Sequence, residues 1–319
     1  SILLTLINPS VGMAALSTTM AASQQASINF TRGNEKEADN VGIALLSDSG
    51  FDPQAAPSFF NKMAEKYRYK STPPPMLLTH PMPESRISDA RIRAQSLPIN
   101  KLAASLPFEL AKARIKARYE GNAEDNIIQF ESDLAKQNYQ LKAATQYGLA
   151  LSYFENKKYI KAQRLLEKLN QGDATNLFYV DALADVYIQT KSYNKAIIML
   201  GDLNLLMPNN QVVTLNYANV LLERKKYAQA EVLLQDFLLV KPNNFIAYDL
   251  LTTVYRKMDK TALMHATKAE TLALYGRYDR AIDELQTGYT FAKEYPLIKK
   301  RINGRILQFQ AQENKLKRL

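Results

Sequence analysis

The 319-residue chain contains no cysteine and no tryptophan, only 11 glycines and only two histidines. The missing cysteines exclude a thiolate nucleophile, a cysteine-ligated zinc site and an iron–sulfur cluster, but they do not fix the compartment. The two histidines, His80 and His265, lie far apart in sequence and restrict metal and acid–base chemistry sharply. A His-Glu-x-x-His motif, which sets two zinc ligands and a general base on one helix face, is absent from the sequence. Long apolar runs are missing too. Residues 1–30 carry no charged side chain, yet Asn8-Pro9-Ser10 interrupts them, and neither piece supplies the ~20 apolar residues that a membrane span needs. A buried helix, or a hairpin touching a membrane surface and not fully packed, is expected there. Ser1 stands first with no charged region before the apolar run, so no signal peptide is legible and an N-terminal truncation is expected.

What is present favours helix. The composition is 46% hydrophobic and 23% charged, which is globular, and scarce glycine with plentiful Ala, Leu, Lys and Gln suits helices throughout. A formal net charge of +10 fits nucleic acid, an anionic membrane surface or an acidic protein as a partner. The basic residues form short clusters such as Lys157-Lys158, Arg224-Lys225-Lys226 and Lys299-Lys300-Arg301. No nucleic-acid-binding motif accompanies them, so a solvated helical surface is expected and nucleic acid is not.

Three helices are expected before residue 98. The first covers 31–47, with Glu35, Glu37 and Asp39 near its positive end and Gly50 as its stop. The second starts with Asp52 as N-cap and Pro53 in first position, runs to about residue 68, and cannot pass Pro73-Pro74-Pro75. The third takes 84–95, and 98–107 reads as a linker.

Beyond the linker the sequence repeats itself every 34 residues. With 143–176, 177–210 and 211–244 aligned, Tyr159, Tyr193 and Tyr227 coincide, as do Ala162, Ala196 and Ala230. Ala150, Ala184 and Ala218 take a small-residue position in each first helix, and Leu166, Leu200 and Leu234 a core position in each second. That period and pattern identify tetratricopeptide-type helical hairpins. The flanks are degenerate: 108–142 holds a helical pair with Tyr119 at a repeat-like position, and a fourth copy begins at Phe245 with an irregular second helix. A further copy covers about 262–295 with Tyr278 and Ala281, and the tail QFQAQENKLKRL reads as a polar capping helix. Tyr153, Tyr187, Asn216 and Asn219, on first helices, are candidate contacts for a protein partner.

Two small constellations could carry chemistry. Glu35 and Asp39 are four apart and share a helix face, which Gly42 and Leu45 are expected to continue. Acidic first turns are commonly structural; a metal ligand with a carboxylate that orients a neighbouring ligand is the functional alternative. His80 sits between Thr79 and Pro81-Met82-Pro83 as an axial ligand, a substrate contact or a satisfied turn residue, and Arg86 is expected to pair with an acid of the preceding helices.

As an ordered set, Asn34-Glu35-x-Glu37-Ala38-Asp39-x-x-Gly42, Gly50-Phe51-Asp52-Pro53 and Thr79-His80-Pro81-x-Pro83-x-x-Arg86-Ile87 resemble the membrane-associated zinc metalloproteases related to the prenyl-protein endopeptidase. With the repeats behind them, the resemblance extends to the branch that acts in β-barrel assembly in the periplasm of Gram-negative bacteria. It implies an all-α chain: the C-terminal half of a helical zincin-type domain over 1–97, the linker, and a tetratricopeptide-repeat α-solenoid over 108–319. It also implies Zn2+ in the complete protein, with Glu35 as third ligand, Asp39 behind it, and His80 able to occupy the open zinc position. Protein partners are implied as well, namely outer-membrane proteins or their assembly machinery, with peripheral membrane contact through 1–30. The chain departs from the family in lacking the His-Glu-x-x-His helix, so tight zinc binding and peptide hydrolysis are not expected of it. A non-enzymatic repeat adaptor is the competing expectation, and an RNA-binding helical repeat is encouraged only by the charge.

Overall fold

The computed structural model describes residues 33–67, 84–99 and 102–317, and every regular element among them is an α-helix. Residues 1–30 and His80, with the expectations placed on them, lie outside the described residues. The chain divides into two compact units, Ser1–Ala103 and Ala104–Leu319.

In the first unit, α1 covers 33–48, α2 Ala55–Tyr67 and α3 Glu84–Gln95. Asp52 accepts a hydrogen bond from the Gln54 N–H at 2.9 Å, which caps the entry to α2. Ile43 of α1 and Ala90 and Ala94 of α3 form a small core, with Ala56 and Phe60 of α2 against it. The buried face of α1 therefore runs Glu35, Asp39, Ile43, a strict four-residue ridge. Gly42 and Leu45, expected on that face, are exposed instead.

Among its described residues the second unit holds twelve helices: α4 (Leu106–Tyr119), α5 (Ala123–Ala135), α6 (Lys142–Glu155), α7 (Tyr159–Gly172), α8 (Leu177–Gln189), α9 (Tyr193–Leu206), α10 (Gln211–Glu223), α11 (Tyr227–Val240), α12 (Phe245–Lys257), α13 (Thr261–Leu274), α14 (Tyr278–Phe291) and α15 (Pro296–Leu316). From α6 on, each helix packs on its sequence neighbours. The repeated alanines and leucines are buried where the 34-residue register puts them. The turns repeat as well: Lys157, Lys191, Lys225 and Asp259 each have φ near +60°. After each of these four residues, the next N–H reaches back to the carbonyl of Tyr153, Tyr187, Leu221 or Tyr255. That six-to-one closure satisfies the carbonyls at the end of each first helix.

Two flank expectations are corrected. The second helix of the fourth copy, α13, is a regular 14-residue helix. Tyr119 ends α4 at 78% exposure and takes no core position. The first pair is also unlike the others, because α4 packs chiefly on α6 and little on its own neighbour α5.

Candidate functional site

Two polar clusters stand out, one in each unit. In the first, the Arg86 guanidinium of α3 lies against both carboxylates of α1. Its Nε and Nη2 donate to Asp39 at 2.8 Å each, and its Nη1 lies 2.9 Å from Glu35. The side chains are 13%, 12% and 15% exposed respectively for Arg86, Asp39 and Glu35. The Asp39 hydrogen bonds, opposed by burial and helped by the charges of Asp39 and Glu35, hold the Arg86 pKa above its ordinary value. The bidentate fork fixes the Asp39 carboxylate in one plane, and the Phe60 ring 5.5 Å from the guanidinium closes the other side. Lys36 on α1 pairs with Asp89 on α3 at 3.0 Å, a second tie between the same helices.

Glu35 thus sits on a rigid element, its charge and that of Asp39 partly offset by a shared cation. It can supply one oxygen ligand. Among the described residues no group of three potential ligands comes together, so these residues do not by themselves fit a catalytic zinc ion, which takes three protein ligands. His265 contributes nothing to such a site. Its Nδ1 is 2.7 Å from Glu284, which also receives Lys268 at 2.6 Å, and its ring stacks on Phe291. Burial works to raise the Glu284 carboxyl, but the hydrogen bonds from Lys268 and His265 outweigh it and lower its pKa.

The second cluster lies on the first helices of the array. Leu110, Ala113 and Ala117 of α4 are buried, and beside them Arg114 pairs with Asp181, and Arg118 with Asp185 at 3.0 Å and Glu155 at 3.5 Å. Asn216 of α10 donates to Asp181 at 2.9 Å. Burial, with the neighbouring Asp181 charge, pushes the Asp185 carboxyl up against the pull of Arg118. Tyr147 is fully buried beneath this ladder, with no hydrogen-bond partner for its hydroxyl, and burial raises its pKa to about 12. The only trace of this ladder in the sequence is two opposite-charge pairs at four-residue spacing, 67 residues apart, which no local pattern connects.

The four candidate contact residues separate into two kinds. Tyr187 is buried and Tyr153 half-buried, and their hydroxyls donate to Glu167 at 3.1 Å and Glu131 at 2.6 Å, so both brace one pair of helices against the preceding one. Asn216 and Asn219 are half-buried on α10. No described helix is long and apolar enough to cross a membrane.

Comparison with known proteins places these clusters in context. Residues 5–94 match Peptidase family M48, a stretch that contains Glu35, Asp39 and Arg86. A Vibrio cholerae protein described as a candidate β-barrel assembly-enhancing protease is 49% identical over 58% of this chain and 39% of its own length. The β-barrel assembly-enhancing protease of Escherichia coli K12 is 43% identical over 58% of this chain and 38% of its own. The chain therefore spans about two-fifths of the length of these curated relatives. Among solved structures, a tetratricopeptide repeat protein from Parabacteroides merdae aligns with 78% of this chain and 98% of its own at 15% identity, with a TM-score of 0.42.

Proposed function

We propose that the complete protein is a zinc-dependent endopeptidase of the Gram-negative periplasm that assists and polices outer-membrane protein assembly, and that this chain carries one ligand of its metal and its recognition module. The observation that supports this reading is the Glu35–Arg86–Asp39 cluster inside the stretch that matches Peptidase family M48. Glu35 would be the third zinc ligand, and Asp39 the carboxylate that orients a ligand histidine. His80 would restrain the site from its rim. Arg86 would hold both carboxylates in place before metal arrives. The remaining ligands and the general base would come from a His-Glu-x-x-His helix outside this sequence. The array would cradle a protein partner along its first helices, with Asn216 and Asn219 among its contacts.

An adaptor without catalysis is the second reading, favoured by the helical array that makes up the whole of the second unit, Ala104–Leu319. Zinc content and casein hydrolysis separate the two when measured on this chain and on the full reading frame of its gene. The expected result is one zinc per chain and cleavage in the longer form only, with Asp39→Asn lowering its zinc affinity about 10–100-fold. A longer form that holds no zinc sinks the peptidase reading and leaves the adaptor.

A further inference from the structure

The edge of the array formed by the turns between paired helices has no part in the peptidase reading. Lys157 and Lys158 stand in the α6–α7 turn, Lys191 in the α8–α9 turn, and Arg224, Lys225 and Lys226 in the α10–α11 turn, all of them exposed. Arg256 and Lys257 continue the row at the α12–α13 turn. Among the described residues, the ion pairs of the array engage none of these side chains; Lys195 and Lys260, nearby, are taken by Glu167 and Glu231. The acids of the same edge are Glu155, which leans toward Arg118, and the exposed Glu223 and Asp259.

Successive turns adjoin. One hollow is lined by Lys157, Lys158 and Lys161 together with Gln189 and Thr190 of the next pair. The following one is lined by Lys191, Ser192, Asn194 and Lys195 together with Arg224. The cations of these three turns therefore lie side by side along one edge.

Helix dipoles account for part of the row: Arg256 and Lys257 lie in the last turn of α12, Arg224 caps the C-terminus of α10, and Lys157, Lys191 and Lys225 directly follow the C-caps of α6, α8 and α10, where cations are favoured. Helices α8, α10 and α12 begin at Asn176, Asn210 and Asn244, whose side chains accept from first-turn N–H groups. Helices α7, α11 and α13 begin at Lys158, Lys226 and Lys260 with no side-chain cap. A cation at the positive end of a helix dipole opposes the helix; Glu231 offsets this at Lys260, whereas Lys158 and Lys226 are exposed with no acid partner among the described residues and leave room for anions from outside.

We propose that this edge docks on an anionic membrane surface, with lipid phosphates lying along the row of turns. Ile160 is exposed beside Lys157, Lys158 and Lys161 and gives apolar contact at the headgroup boundary. Lysine predominates over arginine, which suits point contact with phosphate rather than bidentate reading. Tyr159, Tyr193 and Tyr227 are half-buried at the helix starts, so the edge opens no aromatic platform of the kind that single-stranded nucleic acid stacks on.

The test is co-sedimentation of the full chain with phosphatidylglycerol vesicles, phosphatidylcholine vesicles and a single-stranded RNA. Binding to phosphatidylglycerol alone is expected, weakening as salt rises. The double variant Lys158→Glu/Lys226→Glu is expected to bind at least about 25-fold more weakly, at roughly fivefold per lysine lost. Its melting temperature should hold or rise, because carboxylates suit helix N-termini. Arg164→Glu/Lys168→Glu makes the same charge change on exposed residues within α7 and is expected to keep most of the affinity. Equal loss in the two double variants, undiminished binding by the first, equal binding to phosphatidylcholine, or binding to RNA in place of vesicles would each overturn the proposal.

Discussion

At the scale of single residues, hydrogen bonds between one helix pair and the next do much of the fixing. Glu167 on α7 accepts from Gln163 at 3.0 Å, from Tyr187 at 3.1 Å and from Lys195 at 2.9 Å. Burial works to raise its pKa, but the donors prevail and hold it below the usual glutamate value. A carboxyl depressed in the folded state stabilises fully above its unfolded pKa, and that contribution is lost as pH falls through the folded value. Stability of the array to urea is therefore expected to decline between about pH 6 and about pH 3, with Glu284 contributing to the same limb. Glu167→Gln should be less stable at neutral pH and show a shallower acid decline. A variant whose stability runs parallel to the parent across that range would show that the cluster contributes nothing. None of these donors is visible in sequence as a set, because 28 residues separate Lys195 from Glu167. Arg86 differs: its place after a histidine loop and two acid-bearing helices made a pairing legible, though not that one guanidinium would hold both Glu35 and Asp39.

At the scale of helices, the 34-residue register read from Tyr, Ala and Leu positions locates α6 to α11, because in a stacked hairpin the small and large positions cannot exchange without a clash or a void. It misreads α13. That helix follows α12 as a second helix should, yet it carries the first-helix signature, with Ala269 buried in the small-residue position and α14 supplying Tyr278, Ala281 and Leu285 behind it. One helix thus packs as second to α12 and first to α14, and the sequence period slips by half a repeat. Gly276, with φ +72°, makes the added turn. The other end holds a closer approach. A Cβ on Gly148 of α6 would lie 2.4 Å from Cζ and 2.7 Å from Cε1 of the Phe130 ring of α5, which is itself buried. Gly148→Ala is expected to destabilise the array by about 1–3 kcal/mol through overpacking. The check is the urea midpoint, with Phe130→Leu in the same chain expected to restore part of the loss. An unchanged midpoint would mean that α5 yields freely.

At the scale of the molecule, the second unit has three successive cores, each shared only with its neighbours. The first spans α4 to α10, the second α10 to α13, and the third α13 to α15. The long last helix belongs to the third through Ile302 and Phe309, and Phe309 faces Tyr278 at 5.7 Å between ring centroids. Energies in such a stack add along one dimension, so damage at one end has no direct route to the other. Phe309→Ala removes a buried aromatic, and about 3–5 kcal/mol of local stability is expected to go with it. Hydrogen exchange should then quicken in α13 to α15 while amides of α6 to α9 keep their protection, since local opening follows local contacts. Uniform acceleration through all twelve helices would show a single cooperative body instead. A partner held along the first helices would then be felt throughout the array, not only where it touches.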